Sequence, residues 1–149
     1  MSYCTANYYT AIETQAENLS ETTEQTLQAF TQSVVDKTAD EEVLETFYDE
    51  VEQCDREGIY KTLCKMVNVD EKYKTITISW ESEETPTSQE TYYELVYSFL
   101  PLMKGEFVVA NESWNDSRDG CGGDFSLLTK ERKFIHLSDC QVTLPEATK

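Results

Sequence analysis

Stretches whose apolar residues recur every second position alternate with stretches whose apolar residues recur every third and fourth, and that alternation predicts an α+β fold. Residues 73–80, YKTITISW, set Tyr73, Thr75, Thr77 and Ser79 on one side of a strand and Ile76, Ile78 and Trp80 on the other. Leu27, Phe30 and Val34, and later Tyr92, Leu95, Val96, Phe99 and Met103, follow helical spacing instead. Nine tyrosines and six phenylalanines give a 149-residue chain the area to bury one core, so residues 1–149 read as a single domain. A disordered acidic tail would have few aromatics and long charge blocks, whereas the longest acidic run here is Asp40-Glu41-Glu42.

The first element expected is a strand over residues 6–16, which alternate loosely. Ser20 then offers an N-cap, with Glu21 and Glu24 in the turn it opens, so a helix is expected over 21–36. Thr38 to Glu41 matches a capping box, and Val43, Phe47, Val51 and Cys54 form an apolar stripe behind it. This predicts one continuous helix to about Arg56. Gly58 reads as a break or kink, and Ile59, Leu63, Cys64 and Val67 continue a helical pattern to residue 67.

After the 73–80 strand, Thr85-Pro86 reads as a cap with proline at the first helical position, and Pro101 and Gly105 end that helix. Residues 106–114 read as a strand, 115–123 as a polar loop with Gly120, Gly122 and Gly123 serving turn geometry, and 124–129 and 133–144 as a hairpin of strands through residues 130–132. The order is strand, helix, helix, strand, helix and three strands. It is that of a ferredoxin-like strand/helix sandwich with a helical insertion and an antiparallel-rich sheet. The alternative is an N-terminal helical hairpin packed on a C-terminal antiparallel sheet.

The net charge is −17, and its distribution is uneven. The first 57 residues hold 14 acids and two bases, Lys37 and Arg56. Such a balance disfavours direct contact with nucleic acid, which needs Lys and Arg to displace counterions, and disfavours anionic membranes. It favours a basic protein as partner. The N-terminus MSYCTANYYT has neither a basic start nor an apolar run, and no stretch approaches the roughly 20 apolar residues of a membrane span. Five cysteines, an odd number, then read as reduced thiols in the cytoplasm of a host cell.

Glu41, Glu45, Asp49 and Glu52 are spaced four, four and three apart, which puts them on one face of a continuous helix. Four residues rise about 6 Å, close to the separation of neighbouring phosphates on a nucleic-acid strand. Glu42 and Glu50 widen this stripe, and Glu81, Glu83 and Glu84 form a second acidic group with no base beside it. Helix faces ordinarily interleave Lys with Glu, and like charges at this spacing each cost about 0.2–0.5 kcal/mol. These nine residues are therefore the expected partner-binding set.

Other chemistry is weaker. No CxxC marks a zinc site, and Cys54 and Cys64 fall at apolar helix positions, where they read as core. His136 and Cys140 share a strand face but stand about 13 Å apart, beyond a catalytic dyad's reach. The loop at 115–124 has oxygen-bearing side chains but lacks the spacing of a calcium loop. No enzyme motif appears, and neither cofactor nor bound metal is expected.

Small size and strong acidity resemble the phage and mobile-element anti-defence proteins, including DNA-mimic antirestriction proteins and acidic anti-CRISPR proteins. The resemblance covers charge and size and carries over no residue. It implies a non-enzymatic inhibitor occupying the basic nucleic-acid-binding surface of another protein, in its strongest form as a nucleic-acid mimic. The alternatives are an immunity protein that caps a cationic nuclease toxin, and a metal-dependent enzyme or metal-binding module using the 115–124 loop.

Overall fold

The computed structural model describes residues 4–82, 89–116 and 120–137. Strand β1 (Cys4–Glu13) leads into helix α1 (Leu19–Val35), then α2 (Glu41–Thr46), α3 (Tyr48–Glu52) and α4 (Arg56–Met66). The chain continues through β2 (Val67–Asp70), β3 (Thr75–Ser82), α5 (Gln89–Phe99), a 3-10 turn at Leu100–Leu102, β4 (Phe107–Asp116), β5 (Gly120–Thr129) and β6 (Phe134–Leu137). The strands form one sheet in the order β2-β3-β1-β4-β5-β6, with every pairing antiparallel. The expected α+β class with an antiparallel sheet is the class observed, and the helical insertion lies between β1 and β2.

Strand alternation decides which face is covered. Tyr8, Thr10, Ile12 and Thr14 are buried while Asn7, Tyr9, Ala11 and Glu13 are exposed. Register carries the same side across the sheet: Tyr8 pairs with Trp80, Thr10 with Ile78 and Ala110, and Ala110 with Ser126. The helices cover this side, contributing Leu27, Phe30 and Val34 from α1, Ile59 and Leu63 from α4, and Tyr92, Leu95, Val96 and Phe99 from α5. At its centre, Tyr92 and Thr10 hydroxyls are hydrogen-bonded, joining helix to strand inside the core. The other face of the sheet has no helix over it among the described residues.

Several local expectations are corrected. Ser20 lies inside α1, which is capped by Asn18, whose Oδ1 accepts from the Glu21 amide at 3.4 Å. Thr38 caps nothing, since its hydroxyl donates to the Ser33 carbonyl; Asp40 is the cap of α2, accepting from the Glu42 amide at 2.9 Å. The single helix expected from 41 to 56 is two short ones. Phe47, nearly fully buried, leaves helical geometry at φ −104 and ψ 23, so the chain bends where this ring enters the core. Gly58 is not the break. The turn falls at Cys54, at φ 56, and Gly58 sits in the first turn of α4, where a Cβ would lie 2.3 Å from the Asp55 carboxylate that caps the helix.

Strand β2 was not expected, because Val67 extended the apolar spacing of the helix before it. Its Val67 and Val69 pair with Ile78 and Ile76 of β3, across a turn in which Asp70 Oδ1 accepts from the amides of Lys72 and Tyr73 at 3.0 and 3.1 Å. The strands expected at 73–80 and 106–114, and the hairpin through 130–132, are present. The glycine-rich stretch is strand, not loop, from Gly120 onward. A Cβ on Gly123 would stand 3.0 Å from the Glu112 carbonyl, so strand proximity, not turn geometry, explains that glycine. The expected Thr85-Pro86 cap, and residues 138–144 of the last expected strand, lie outside the described residues.

Candidate functional site

The acidic segment is built by the need to bury Val43 and Phe47. Both are in the core, and Thr46 and Thr91 hydroxyls meet at 2.8 Å, so α2 lies against α5. Leu44 and Val51 pack partly against the core, and the acidic side chains of α2 and α3 are left towards solvent. Glu41, Glu42, Glu45, Asp49 and Glu52 are exposed and Glu50 is half-buried. The break at Phe47 means that these six do not form one straight ladder, and the phosphate-like spacing expected of a continuous helix is not carried through it. They are carried instead by two consecutive short helices on either side of the bend. Tyr48, 61% exposed, stands among them at the start of α3. Large exposed aromatics of this kind anchor protein interfaces.

Glu81 is elsewhere. It is exposed at the far end of β3, on the side of the sheet opposite the helices, paired with Asn7, and Lys65 of α4 lines the same shallow hollow. Glu83 and Glu84 lie outside the described residues. The two acidic groups expected from the sequence are thus separate features of the surface as far as they are described.

Two further carboxylates join the α2 region. Oxygens of Asp40, Glu42 and Glu90 all lie within 4.8 Å of one another. Burial, and then repulsion from Asp40, Glu42 and Glu94, holds the Glu90 carboxyl above the ordinary range, with Arg132 pulling the other way. The sequence analysis did not connect Glu90 to α2, because their contact is set by how α5 crosses α2. The triple could ligate a cation or receive an ammonium or guanidinium group. It is not in the 115–124 loop, which only the alternative metal-binding reading of the sequence invoked.

No cation among the described residues forms an ion pair with the acids of α2 and α3. Among the described residues, ion pairs join Lys61 to Glu57, Lys74 to Glu71 and Arg132 to Glu94, the His136 imidazole stands beside Asp124, and none reaches a carboxylate of α2 or α3. Arg56, the nearest arginine in sequence, donates to Gln32 Oε1 at 2.5 Å and Gln28 Oε1 at 3.1 Å. Arg132 is held by both Glu94 oxygens and lies 4.3 Å from the Tyr97 ring centre. The two arginines thus bond elsewhere, and Lys37 and Arg56 share a hollow with Glu50 without pairing with it among the described residues.

A second polar cluster lies on the helix-covered side at β4, β5 and β6. Glu112 pairs with Asp124, Gln89 Nε2 donates to Glu112 Oε2 at 3.2 Å, and His136 Nε2 is 3.5 Å from Asp124 Oδ2. Burial first, and Asp124 second, push the Glu112 carboxyl up, while His136 opposes them. Cys54, expected in the core, is an exposed free thiol, and Cys64 is a half-buried free thiol packed against the core. No helix among the described residues is long and apolar enough to cross a membrane. No protein-family model, no curated protein and no solved structure matches the chain.

Proposed function

We propose that this protein is a non-enzymatic inhibitor whose acidic α2–α3 face binds the basic, nucleic-acid-binding surface of another protein. The observation that carries the reading is a charge on ordered structure that no ion pair among the described residues compensates: six carboxylates on two short helices, extended by Asp40 and Glu90. Such a face disfavours the free fold, since like charges repel. A cationic partner relieves that repulsion, so part of the binding energy is stored in the unbound protein. Nucleic-acid mimicry is the strongest form of this proposal. With the ladder broken at Phe47, it rests on a cluster of carboxylates, not on a helical repeat.

The Asp40–Glu42–Glu90 triple is the point where a partner's Lys or Arg side chain gains most. Three carboxylates close together favour a guanidinium in their midst, and Tyr48 offers an apolar shoulder beside the acidic face.

The test is capture of partners from a host lysate at low and high salt. A basic protein is expected, retained at low salt and released at high salt. The double reversal Glu45→Lys with Asp49→Lys should leave the fold intact and weaken that complex by about tenfold or more, about 1.4 kcal/mol. Unchanged affinity after both reversals would show that α2 and α3 are only a solvated surface. A nuclease toxin as the captured protein would select the immunity reading, and a nucleic-acid-binding effector the anti-defence one.

A further inference from the structure

We infer that the uncovered face of the sheet is a contact surface between two copies of this chain. Tyr9, Phe107, Val109, Phe125 and Ile135 point to this side and are between 42% and 53% exposed. Register makes them one patch. Val109 pairs with Leu127 and Leu127 with Ile135 across three strands, and in the next row Tyr9 and Phe125 both pair with Asn111. Contiguous apolar area of this kind is unusual on a lone soluble chain and marks a contact site.

The charge pattern selects the occupant. The chain carries 29 acids, yet the outward positions from Phe107 to Ser113, from Gly123 to Thr129 and at Ile135 hold no ionisable side chain. A surface built for a basic protein would carry carboxylates, as α2 and α3 do. A surface that meets its own copy across a two-fold axis must avoid them, because each charge there approaches its like. The β4–β6 part of this face is bare of charge and self-complementary, with Glu13 at the end of β1 and Glu81 at the end of β3 exposed at its margins.

Geometry removes the remaining objection, which is that each copy carries a charge of −17. Two sheets packed face to face stand about 10 Å apart. One helical layer adds roughly 10 Å on each outer side. The acidic faces of the two copies then stand roughly 30 Å apart, several times the Debye length of about 8 Å at physiological salt. Six strands about 4.8 Å apart and about eight residues long span roughly 29 Å by 27 Å, a footprint comparable to the about 800 Å² per partner of a standard interface. Glu13 of β1 with Thr75, Thr77, Ser79 and Glu81 of β3 would form its polar rim, where charge stays in water.

Sedimentation equilibrium of the full chain over a range of concentrations, at low and high salt, tests this. The expected result is a monomer–dimer equilibrium that tightens as salt rises, the opposite of the acidic face's response. Val109→Lys and Ile135→Lys should each weaken it by about tenfold or more, while Glu45→Lys leaves it intact. Circular dichroism checks folding, and Phe125→Ser serves as a milder variant if a lysine substitution unfolds the sheet. A wild-type chain that stays monomeric at every concentration overturns the inference, whether bare or covered by its own residues beyond Leu137. So does a dimer that none of the three substitutions weakens. Loss of a basic partner on Val109→Lys, in a monomeric protein, would assign the face to that partner instead.

Discussion

Glu112 shows how a single residue can register its surroundings. Its carboxyl sits on the helix-covered side of β4, beside Asp124 of β5, His136 of β6 and Gln89 and Tyr93 of α5. Burial and the Asp124 charge keep it protonated to a higher pH than the ordinary 4.5. The native state therefore binds more protons than the unfolded chain above that value, and the contribution of this group is fully present below 4.5 and lost as pH rises through the elevated value. Glu112→Gln keeps an acceptor for Gln89 and removes the titration. The urea midpoint of the variant is expected to exceed that of wild type at neutral pH, and the difference to shrink towards pH 4.5. Curves that run parallel over that window would refute the assignment.

At the scale of elements, the acidic region owes its shape to one aromatic ring. Phe47 ends α2, precedes α3 and fills the core between them, with Val43 one turn earlier. Phe47→Ala is expected to destabilise the protein by about 3–5 kcal/mol, a large share of the roughly 5–15 kcal/mol that holds a domain of this kind together. Guanidinium unfolding measures this directly. A loss below about 1 kcal/mol would mean that α2 and α3 are held by something other than this side chain. The ring's burial also explains why helical periodicity misled at this point. Val43, Phe47 and Val51 keep an unbroken i, i+4 spacing whether the helix is continuous or bent, because apolar spacing reports which side faces the core and not whether each backbone hydrogen bond forms.

For the whole molecule, the charge is segregated. Carboxylates crowd α2 and α3 on one side, while the outward positions of β4 and β5 and Ile135 of β6 carry none on the other. Repulsion within the acidic side weakens the free protein, so added salt should stabilise it. Three close like-charged pairs, Glu41–Glu45, Glu42–Glu45 and Asp49–Glu52, suggest a gain on the order of 1 kcal/mol. Thermal unfolding in rising sodium chloride should show an increasing midpoint, and the Glu45→Lys and Asp49→Lys reversals should reduce that increase. A midpoint that does not move with salt would show that the acids are too dispersed to repel one another. The same salt should loosen the proposed basic complex and tighten the proposed dimer, so three readouts respond to one variable in predictable directions.

Strand and helix identity, the inward side of β3, the α+β class and the acidic segment were all legible from residue order, because alternation, helical spacing and charge are local properties. Strand β2, the bend at Phe47, the joining of Glu90 to Asp40 and Glu42 and the uncovered sheet face were not. Each depends on a partner distant in sequence: Ile76 and Ile78 for Val69 and Val67, the core for Phe47, α5 for the acids of α2. Pairing and burial act through space, so only the folded chain decides which carboxylates share a surface and which apolar side chains are left without a cover.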